Sequence, residues 1–232
     1  MIEAFVPSAS SYSGQIDHLF SLITYIMGFW FFAGQGILFY FIFKYRRKPG
    51  VPSTYISGDK KEEKKLISWA HKLLLVCDIV IVVYAIGAWY HVKQYLPPAE
   101  ATVKVIGQQW AWTFVQPGAD GVLDTADDII TIDELHVQEG LTYHYLLTSK
   151  DVLHSFFVPV FRLKQDAIPG REIVGWFKAT KTGQYDILCA EICGVGHGLM
   201  GARIFIETKD QHQKWVESRG GEHSAPTLGM NP

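Results

Sequence analysis

The segment CAEICGVGHGLM, residues 189–200, gathers several metal-binding side chains in one short stretch. It contains the thiols of Cys189 and Cys193, the imidazole of His197 and the thioether of Met200. Soft thiolate and thioether ligands favour copper, and a weak axial Met beside Cys and His is typical of copper electron-transfer sites. A disulfide would leave His197 and Met200 without a role, and zinc has little use for a thioether. The segment therefore predicts a copper site, ahead of a zinc site or a disulfide.

The four donors of this segment, two thiolates, one His and one Met, complete only a mononuclear site. A dinuclear site needs one more ligand, and a candidate lies upstream. The segment DVLHSF, residues 151–156, supplies His154, and a β-sandwich can bring such a segment beside the loop before its last strand. Two bridging Cys and two terminal His would form a symmetric dinuclear site. Two coppers that share one electron would reorganise little, which favours electron transfer over substrate chemistry. The sequence offers no nucleophile with an adjacent base.

The residues around these ligands have the pattern of an all-β domain over residues 99–219. Short β-forming runs alternate with turns, which favours a sandwich or barrel. The predicted strands are 102–106, 110–115, 129–132, 142–147, 155–160, 173–177, 183–188 and 202–207. A short helix is predicted at 210–217, and the tail at 220–232, rich in Gly, Ser and Pro, is expected to be flexible.

Two apolar runs precede this domain within residues 1–98, after an expected exposed lead-in at 1–16. Residues 19–43 carry no charge and exceed the roughly twenty residues that cross a bilayer; residues 73–92 form a shorter run. Lys and Arg concentrate between the runs, so the positive-inside rule predicts a cytoplasmic loop, with both termini and the β domain outside. Asp78 in the second run is a candidate functional residue, although pairing with a neighbouring subunit explains it equally well.

The composition limits the classes of function. The 232 residues are 48% hydrophobic with seven Trp, which fits a partly membrane-embedded protein. A net charge of −2 excludes an overall basic nucleic-acid binder. Three Cys are too few for a disulfide framework, and Cys77 lies in an apolar run as a small hydrophobic residue. The first residues lack a positive region before an apolar core, so no cleavable signal peptide is expected.

Together these motifs resemble subunit II of a cytochrome c oxidase of the haem–copper family, the subunit with the copper A centre. The matching motifs are Cys189-x-Glu191-x-Cys193-x3-His197-x2-Met200, Asp151-x-x-His154-Ser-Phe, Gln109-Trp110-x-Trp112 and Asp166-Ala-Ile-Pro169-Gly-Arg171. The two apolar runs ahead of a β domain also match, so the resemblance covers essentially the whole chain. It implies two transmembrane helices followed by a cupredoxin-like β domain.

The resemblance also implies which residues hold two copper ions: His154, Cys189, Glu191 through its backbone carbonyl, Cys193, His197 and Met200. The two Cys would bridge both metals. His154 and Met200 would complete one copper, and His197 with the Glu191 carbonyl would complete the other. The Glu191 carboxylate would reach a magnesium or manganese ion at the interface with subunit I.

Further roles follow from the same resemblance. Trp110 would be the residue at which electrons enter from cytochrome c, although core packing is the alternative for Trp110 and Trp112. Asp166 and Arg171 would lie on a loop that faces subunit I. Many members carry a Glu three residues before the Trp that opens the second span, but Leu66 occupies that position here. A role in proton uptake for this chain, through Glu62, Glu63 or Asp78, is therefore open.

Acidic residues are concentrated between residues 105 and 149, where the chain has no Lys or Arg. They are Asp120, Asp124, Asp127, Asp128, Asp133, Glu134 and Glu139. We expect an acidic face near Trp110 that steers a basic c-type cytochrome. The Asp/Gly-rich stretch 118–128 is predicted to be an acidic hairpin tip, with a calcium site as the less favoured alternative.

The implied function is electron transfer from cytochrome c to the haem and copper centres of subunit I, where oxygen is reduced to water with proton pumping. The expected partners are subunit I, other oxidase subunits, a separate cytochrome donor and membrane lipid, with no nucleic acid. The expected location is a bacterial inner membrane. Alternatives are a quinol oxidase homologue without copper, a nitrous oxide reductase domain or soluble copper carrier, and a membrane-anchored docking scaffold.

Overall fold

The computed structural model describes residues 4–52 and 57–219. The chain forms two compact units: Gln15–His91 is one, and the residues up to Gly14 join the chain from Val92 onward in the other. The predicted flexible tail at 220–232 and the side chains of Glu62, Glu63 and Leu66 lie outside what the structure describes.

The first unit consists mainly of two helices, α1 (Ser13–Lys44) and α2 (Lys61–Trp89), and a π-helical turn at Tyr90–Gln94 continues α2. Ser13–Lys44 and Ile67–Gln94 are long and apolar enough to cross a membrane. Their large apolar side chains are exposed, as the 74% exposure of Phe32 illustrates. Both helices extend beyond the predicted apolar runs. For α2 the reason is that the Lys and Glu residues before the run are good helix formers.

The second unit is a β-sandwich of two five-stranded sheets. Its strands are β1 (Ala101–Gln108), β2 (Ala111–Gln116), β3 (Ile129–Ile132), β4 (Glu134–Gln138), β5 (Thr142–Ser149), β6 (His154–Val158), β7 (Leu163–Ala167), β8 (Ile173–Lys178), β9 (Gly183–Cys189) and β10 (Gly201–Glu207). The sheet orders are β3-β2-β1-β5-β8 and β4-β10-β9-β6-β7. The helix α3 (Lys209–Arg219) follows the last strand. The predicted fold class, an apolar helix pair with a β-sandwich, is confirmed.

Eight of the ten strands overlap the predicted ones, and β4 and β7 are the two that the pattern missed. Both are edge strands of the second sheet. In β7, polar Lys164, Gln165 and Asp166 occupy the middle of the strand, so no alternation of apolar residues reveals it. Edge strands commonly carry such polar residues, because these discourage pairing with another chain.

The core lies between the two sheets and is rich in aromatic residues. Trp112 and Phe114 from β2 contact Phe156 from β6 with ring centroids 5.5 and 6.4 Å apart. Phe177 of β8 stacks on Tyr143 of β5 at 5.4 Å. The contacts of Trp112 and Phe114 with Phe156 join strands of opposite sheets, whereas Phe177 and Tyr143 lie on neighbouring strands of the same sheet. Together they hold the core of the sandwich behind the loops that follow β1, β5 and β9.

The expectation of an exposed lead-in is wrong for Ala9, Ser10, Tyr12 and Ser13, although Ser11 between them is exposed. Ala9, Tyr12 and Ser13 are fully buried within the β unit. The backbone amide of Ala9 donates to Val160 O at 2.9 Å, and Ser10 forms a bridge with Ala179 next to β8. The small side chains of Ala9 and Ser10 allow this close approach of the backbone. A segment of small and polar residues is therefore part of the β unit.

Candidate metal centre

The predicted ligands come together because β6 and β9 are neighbours in the second sheet. His154 is the first residue of β6 and Cys189 is the last residue of β9. Phe156 pairs with Cys189 in the antiparallel register, and the amide of Ala190 donates to Ser155 O at 3.0 Å. Two ligands that lie 35 residues apart in sequence therefore meet at one edge of the sandwich.

The loop between β9 and β10 supplies the other donors. It turns at Gly194, whose φ of +124° favours glycine, and ends in a 3-10 turn at His197–Leu199. The amide of Cys189 donates to Met200 O at 3.2 Å, which closes the loop at its base. This closure directs Cys193 and Met200 into the interior, where both are buried.

The side-chain donors converge on one small volume. The sulfur atoms of Cys189 and Cys193 lie 3.8 Å apart. Nδ1 of His154 is 3.9 Å from Cys189 Sγ, and Nδ1 of His197 is 3.6 Å from Cys193 Sγ. Met200 Sδ lies 3.7 Å from Cys193 Sγ. The backbone carbonyl of Glu191 lies 3.3 Å from Cys189 Sγ.

These separations fit metal ligation. A tetrahedral metal bound to sulfur at about 2.3 Å and nitrogen at about 2.0 Å separates neighbouring donor atoms by roughly 3.5–3.8 Å. Both cysteines are free thiols rather than a disulfide. Among the described residues, His154, Cys189 and Cys193 form the set of His, Cys and carboxylate side chains that meets the geometry of a metal site. Two thiols, two imidazoles and a thioether are donors suited to copper.

The imidazole of His154 is held in one orientation from behind. Its Nε2 donates to Asp151 Oδ1 at 2.8 Å, which leaves the Nδ1 lone pair directed toward Cys189. The ring is fully buried and its centroid lies 6.0 Å from that of Trp112. Gly107 makes room for it, since a Cβ there would lie 3.0 Å from His154 Cδ2.

The raised pKa of the Cys193 thiol disfavours its ionisation unless a cation is nearby. Burial and the neighbouring Cys189 thiol raise the pKa of Cys193 to about 11. A bound metal cation reverses this preference, because a coordinating thiol loses its proton. The pair of cysteines therefore fits a site whose charge is balanced by metal.

The two tryptophans of the QWxW motif occupy different environments. Trp112 lies in β2 and is fully buried in the core, so core packing describes it. Trp110 precedes β2 in a turn and is 41% exposed. Its ring lies against the ligand loop, since a Cβ at Gly196 would lie 2.4 Å from Trp110 Cδ2. The alternative of core packing is therefore wrong for Trp110.

Gln109 and Asp151 connect this tryptophan to the ligands, a link that the sequence motifs did not reveal. Gln109 Nε2 donates to Cys193 O at 2.7 Å. The backbone amide of Gln109 donates to Asp151 Oδ2 at 2.6 Å, while Asp151 Oδ1 accepts from His154. One carboxylate thus contacts both the turn that carries Trp110 and a candidate ligand. In the sequence, the only sign of this link is that Asp151 precedes His154 by three residues.

The outer surface of the ligand loop is apolar. Ile192, Val195 and Leu199 are 81%, 99% and 90% exposed. Exposed apolar side chains of this size, grouped on one loop, mark surfaces that contact other proteins. The Glu191 side chain is also exposed.

Elsewhere, Asp166 on β7 accepts a hydrogen bond from Ser155 Oγ at 2.8 Å, and Arg171 is exposed in the following loop.

The expectation of one acidic face near Trp110 is wrong for Asp120, Asp124, Asp127 and Asp128. These residues follow β2, whereas Trp110 precedes it, so the six-residue strand separates them by roughly 20 Å. Asp133 does return to the Trp110 end, because β3 runs antiparallel to β2 and Asp133 Oδ1 accepts from the Trp112 amide at 2.8 Å. Neighbours in sequence therefore lie at opposite ends of the sandwich.

Comparisons with known proteins show which family the chain resembles. Residues 101–208 match the family described as cytochrome c oxidase subunit II, periplasmic domain. The chain is 32% identical over 238 residues to the alternative cytochrome c oxidase subunit 2 of Bradyrhizobium diazoefficiens, covering 93% of this chain and 83% of that protein. It is 29% identical over 260 residues to cytochrome c oxidase subunit 2 of Cereibacter sphaeroides, covering 97% and 82%.

A solved structure also resembles the β unit. The crystal structure of the periplasmic domain of subunit II of cytochrome oxidase from Bradyrhizobium japonicum matches with a TM-score of 0.50 and 29% identity. The match covers 56% of this chain and 100% of that domain.

Proposed function

The chain belongs to the cytochrome c oxidase subunit II family, and on this basis we propose that its β domain carries electrons from a c-type cytochrome to subunit I through a dinuclear copper A centre. Family membership makes the chain a subunit of a haem–copper terminal oxidase, an oxidoreductase that contains other subunits. It also implies copper A binding. The number of coppers, their individual ligands and the electron donor are parts of the proposal.

The convergence of the donor atoms carries the proposal. Cys189 and Cys193 are the proposed bridging thiolates, because their sulfur atoms lie 3.8 Å apart with an imidazole beside each. His154 and Met200 would complete one copper. His197 and the Glu191 carbonyl would complete the other.

When bound, two coppers that share one electron across two thiolates supply fast electron transfer with little rearrangement. The protein's own part is to fix the ligands in advance. The pairing of β6 with β9 holds His154 beside Cys189, and Asp151 orients the His154 ring. Burial of Met200 and Cys193 keeps bulk water away from the sulfur donors. Met200, as a weak axial ligand, would adjust the redox potential.

Trp110 is the proposed point at which electrons enter. Its ring is partly exposed on one side and lies against the ligand loop on the other. The exposed side chains of Ile192, Val195 and Leu199 offer an apolar contact surface on the same loop. The partly buried Asp133 would contribute to attracting a basic cytochrome, a weaker attraction than a continuous acidic face would provide.

The remaining steps belong to the assembled oxidase. Subunit I would receive the electrons and reduce oxygen to water with proton pumping. Asp166 and Arg171 would face subunit I, and the Glu191 carboxylate would reach a magnesium or manganese ion there. The proposed location is the inner membrane of a bacterium, with α1 and α2 within residues 1–98 supplying a two-helix anchor and residues 99–219 the external copper domain.

Copper analysis of the purified full-length chain tests this proposal. We expect two coppers per chain and an electron paramagnetic resonance signal in which one unpaired electron couples to both copper nuclei. A chain without copper would indicate the copper-free quinol oxidase type. One copper with a type 1 signal would also overturn the dinuclear assignment.

Replacing Trp110 tests where electrons enter. Trp110→Phe should slow reduction by cytochrome c in stopped-flow measurements and leave the copper spectrum unchanged, because the ring contacts the ligand loop without supplying a donor atom. Trp215→Phe, in α3 and stacked on His136, is the matched control. Reduction of Trp110→Phe at the full rate would show that electrons enter elsewhere.

A further inference from the structure

A lysine-rich face lies on the first turns of α2. It comprises Lys61, Lys64, Lys65, Ser68, Trp69 and Lys72, which together line a groove of about 300 Å³. The spacings of three and four residues put these side chains on the same side of the helix. All six are exposed. We call this surface the lysine face.

The lysine face concentrates positive charge on a short segment of α2. Among the side chains that the structure describes, the groove is lined by four ammonium groups, one hydroxyl and one indole, and by no carboxylate. Glu62 and Glu63 lie in the same segment of sequence, but residues 60–72 still contain five lysines against these two glutamates. Four like charges on adjacent turns repel one another, so an anion bound among them would relieve this repulsion.

The lysine face overlaps the boundary of the apolar span. The segment suited to cross a membrane is Ile67–Gln94, so Lys61, Lys64 and Lys65 precede it while Trp69 and Lys72 lie within its first turns. The ammonium of Lys72 lies 5.6 Å from the centre of the Trp69 ring. Tryptophan at such a boundary is typical of the headgroup level of a bilayer, and a lysine there extends its charge toward water.

We propose that the lysine face binds the phosphate headgroup of an anionic phospholipid. The ammonium groups of the lysines and the Ser68 hydroxyl donate to the phosphate oxygens, and the exposed ring of Trp69 packs against the glycerol and upper acyl region. A soluble phosphate would use the same donors but would leave Trp69 and the adjoining apolar span without a contact. Lipid is therefore the occupant that matches both the charge and the apolar boundary. Binding here is independent of the proposed copper chemistry.

Native mass spectrometry of the full-length chain in neutral detergent can count bound lipids. Phosphatidylglycerol and phosphatidylcholine with identical acyl chains are compared for the native chain and for a variant with Lys61, Lys64, Lys65 and Lys72 replaced by Gln. We expect preferential binding of phosphatidylglycerol and an affinity loss of at least about tenfold in the variant, since each Lys near an anionic surface contributes roughly fivefold and two such losses already exceed tenfold. Phosphatidylcholine binding should not change.

Two further variants make the result specific. Replacing the exposed lysines of the β domain, Lys150, Lys181, Lys209 and Lys214, by Gln removes the same charge elsewhere and should leave phosphatidylglycerol binding intact. Replacing the four lysines of the face by Arg should retain it, which separates lost charge from a misfolded helix. Equal phosphatidylglycerol binding by the native and Gln variants would overturn the proposal. Displacement of the lipid by inorganic phosphate at matched concentration would overturn the assignment to lipid.

Discussion

Two glycine-rich loops of the β domain carry several potential metal donors, and they use them in opposite ways. The ligand loop, residues 189–200, leads from β9 to β10, and the aspartate turn, residues 117–128, leads from β2 to β3. In the ligand loop the side-chain donors approach one another to within 3.6–3.8 Å. In the aspartate turn the carboxylates bind the turn's own backbone.

The aspartate turn is held together by its acidic side chains. Asp127 Oδ2 accepts from the Asp120 amide at 3.1 Å, and its Oδ1 accepts from Thr125 Oγ1 at 2.6 Å. Asp128 Oδ2 accepts from the Asp124 amide at 2.8 Å. Asp124 also pairs with Lys104. Carboxylates that already bind amides and hydroxyls are poor candidates for calcium, because the cation must displace those donors.

The comparison shows that a metal site needs side-chain donors whose lone pairs are not already used as hydrogen-bond acceptors for the backbone amides. The ligand loop achieves this because its backbone closes on itself, through Cys189 N to Met200 O. Its partner His154 arrives from a separate strand with its orientation fixed by Asp151. The following changes test this difference, from the largest expected effect to the smallest.

Removing a thiol should have the largest effect. Cys193→Ser replaces a soft bridging donor by a hard hydroxyl, and we expect loss of the mixed-valence copper signal and of most bound copper. Copper content and electron paramagnetic resonance provide the measurement, with Cys77→Ser in α2 as the control. A Cys193→Ser chain with two coppers and an unchanged spectrum would contradict the bridging role.

Weakening the support of His154 should have a smaller effect. Asp151→Asn keeps the shape of the side chain but removes the charge that accepts from His154 Nε2. We expect copper affinity to fall by about 10–100-fold, the usual cost of losing such a hydrogen-bond partner. Competition with a copper chelator measures this, and Asp186→Asn on β9, an exposed partner of Arg203, is the control. Equal affinities would mean that Asp151 does not support the site.

Adding a methyl group between the Trp110 ring and the ligand loop should change the rate of electron transfer more than the amount of bound copper. Gly196→Ala would place a Cβ 2.4 Å from Trp110 Cδ2 and move the ring, although its φ of −88° accepts Ala. We expect slower reduction by cytochrome c with copper content retained. Gly198→Ala has no atom within 4 Å of its new Cβ, so it should react at the native rate. Identical rates for both variants would contradict the role of this contact.

Calcium should have the smallest effect. Millimolar calcium, the range in which weak extracellular sites bind, should leave the thermal unfolding midpoint unchanged. Asp127→Ala should lower that midpoint slightly with or without calcium, because two hydrogen bonds of the turn are lost. Asp128 Oδ1 is a buried oxygen without a hydrogen-bond partner among the described residues, which makes the test informative. A calcium-dependent rise that disappears in Asp127→Ala would establish a site there.

Local patterns predicted much of this molecule because their causes are local. The apolar runs depend on side-chain hydropathy alone, and eight strands were visible through residue type and intervening turns. The edge strands β4 and β7 were missed because their pairing with β10 and β6, rather than their own composition, makes them strands. The buried position of Ala9 and Tyr12 was missed for the same reason.

The sequence by itself determined the chemistry of the donors, since the identity and spacing of Cys189, Cys193, His197 and Met200 already select a soft metal. Only the tertiary structure decided their geometry and surroundings. In it His154 lies beside Cys189, and Trp110 is exposed whereas Trp112 is buried. The aspartate turn lies at the opposite end of β2 from Trp110. These outcomes depend on strand pairing between distant segments, in which the register and direction of each strand set which residues meet.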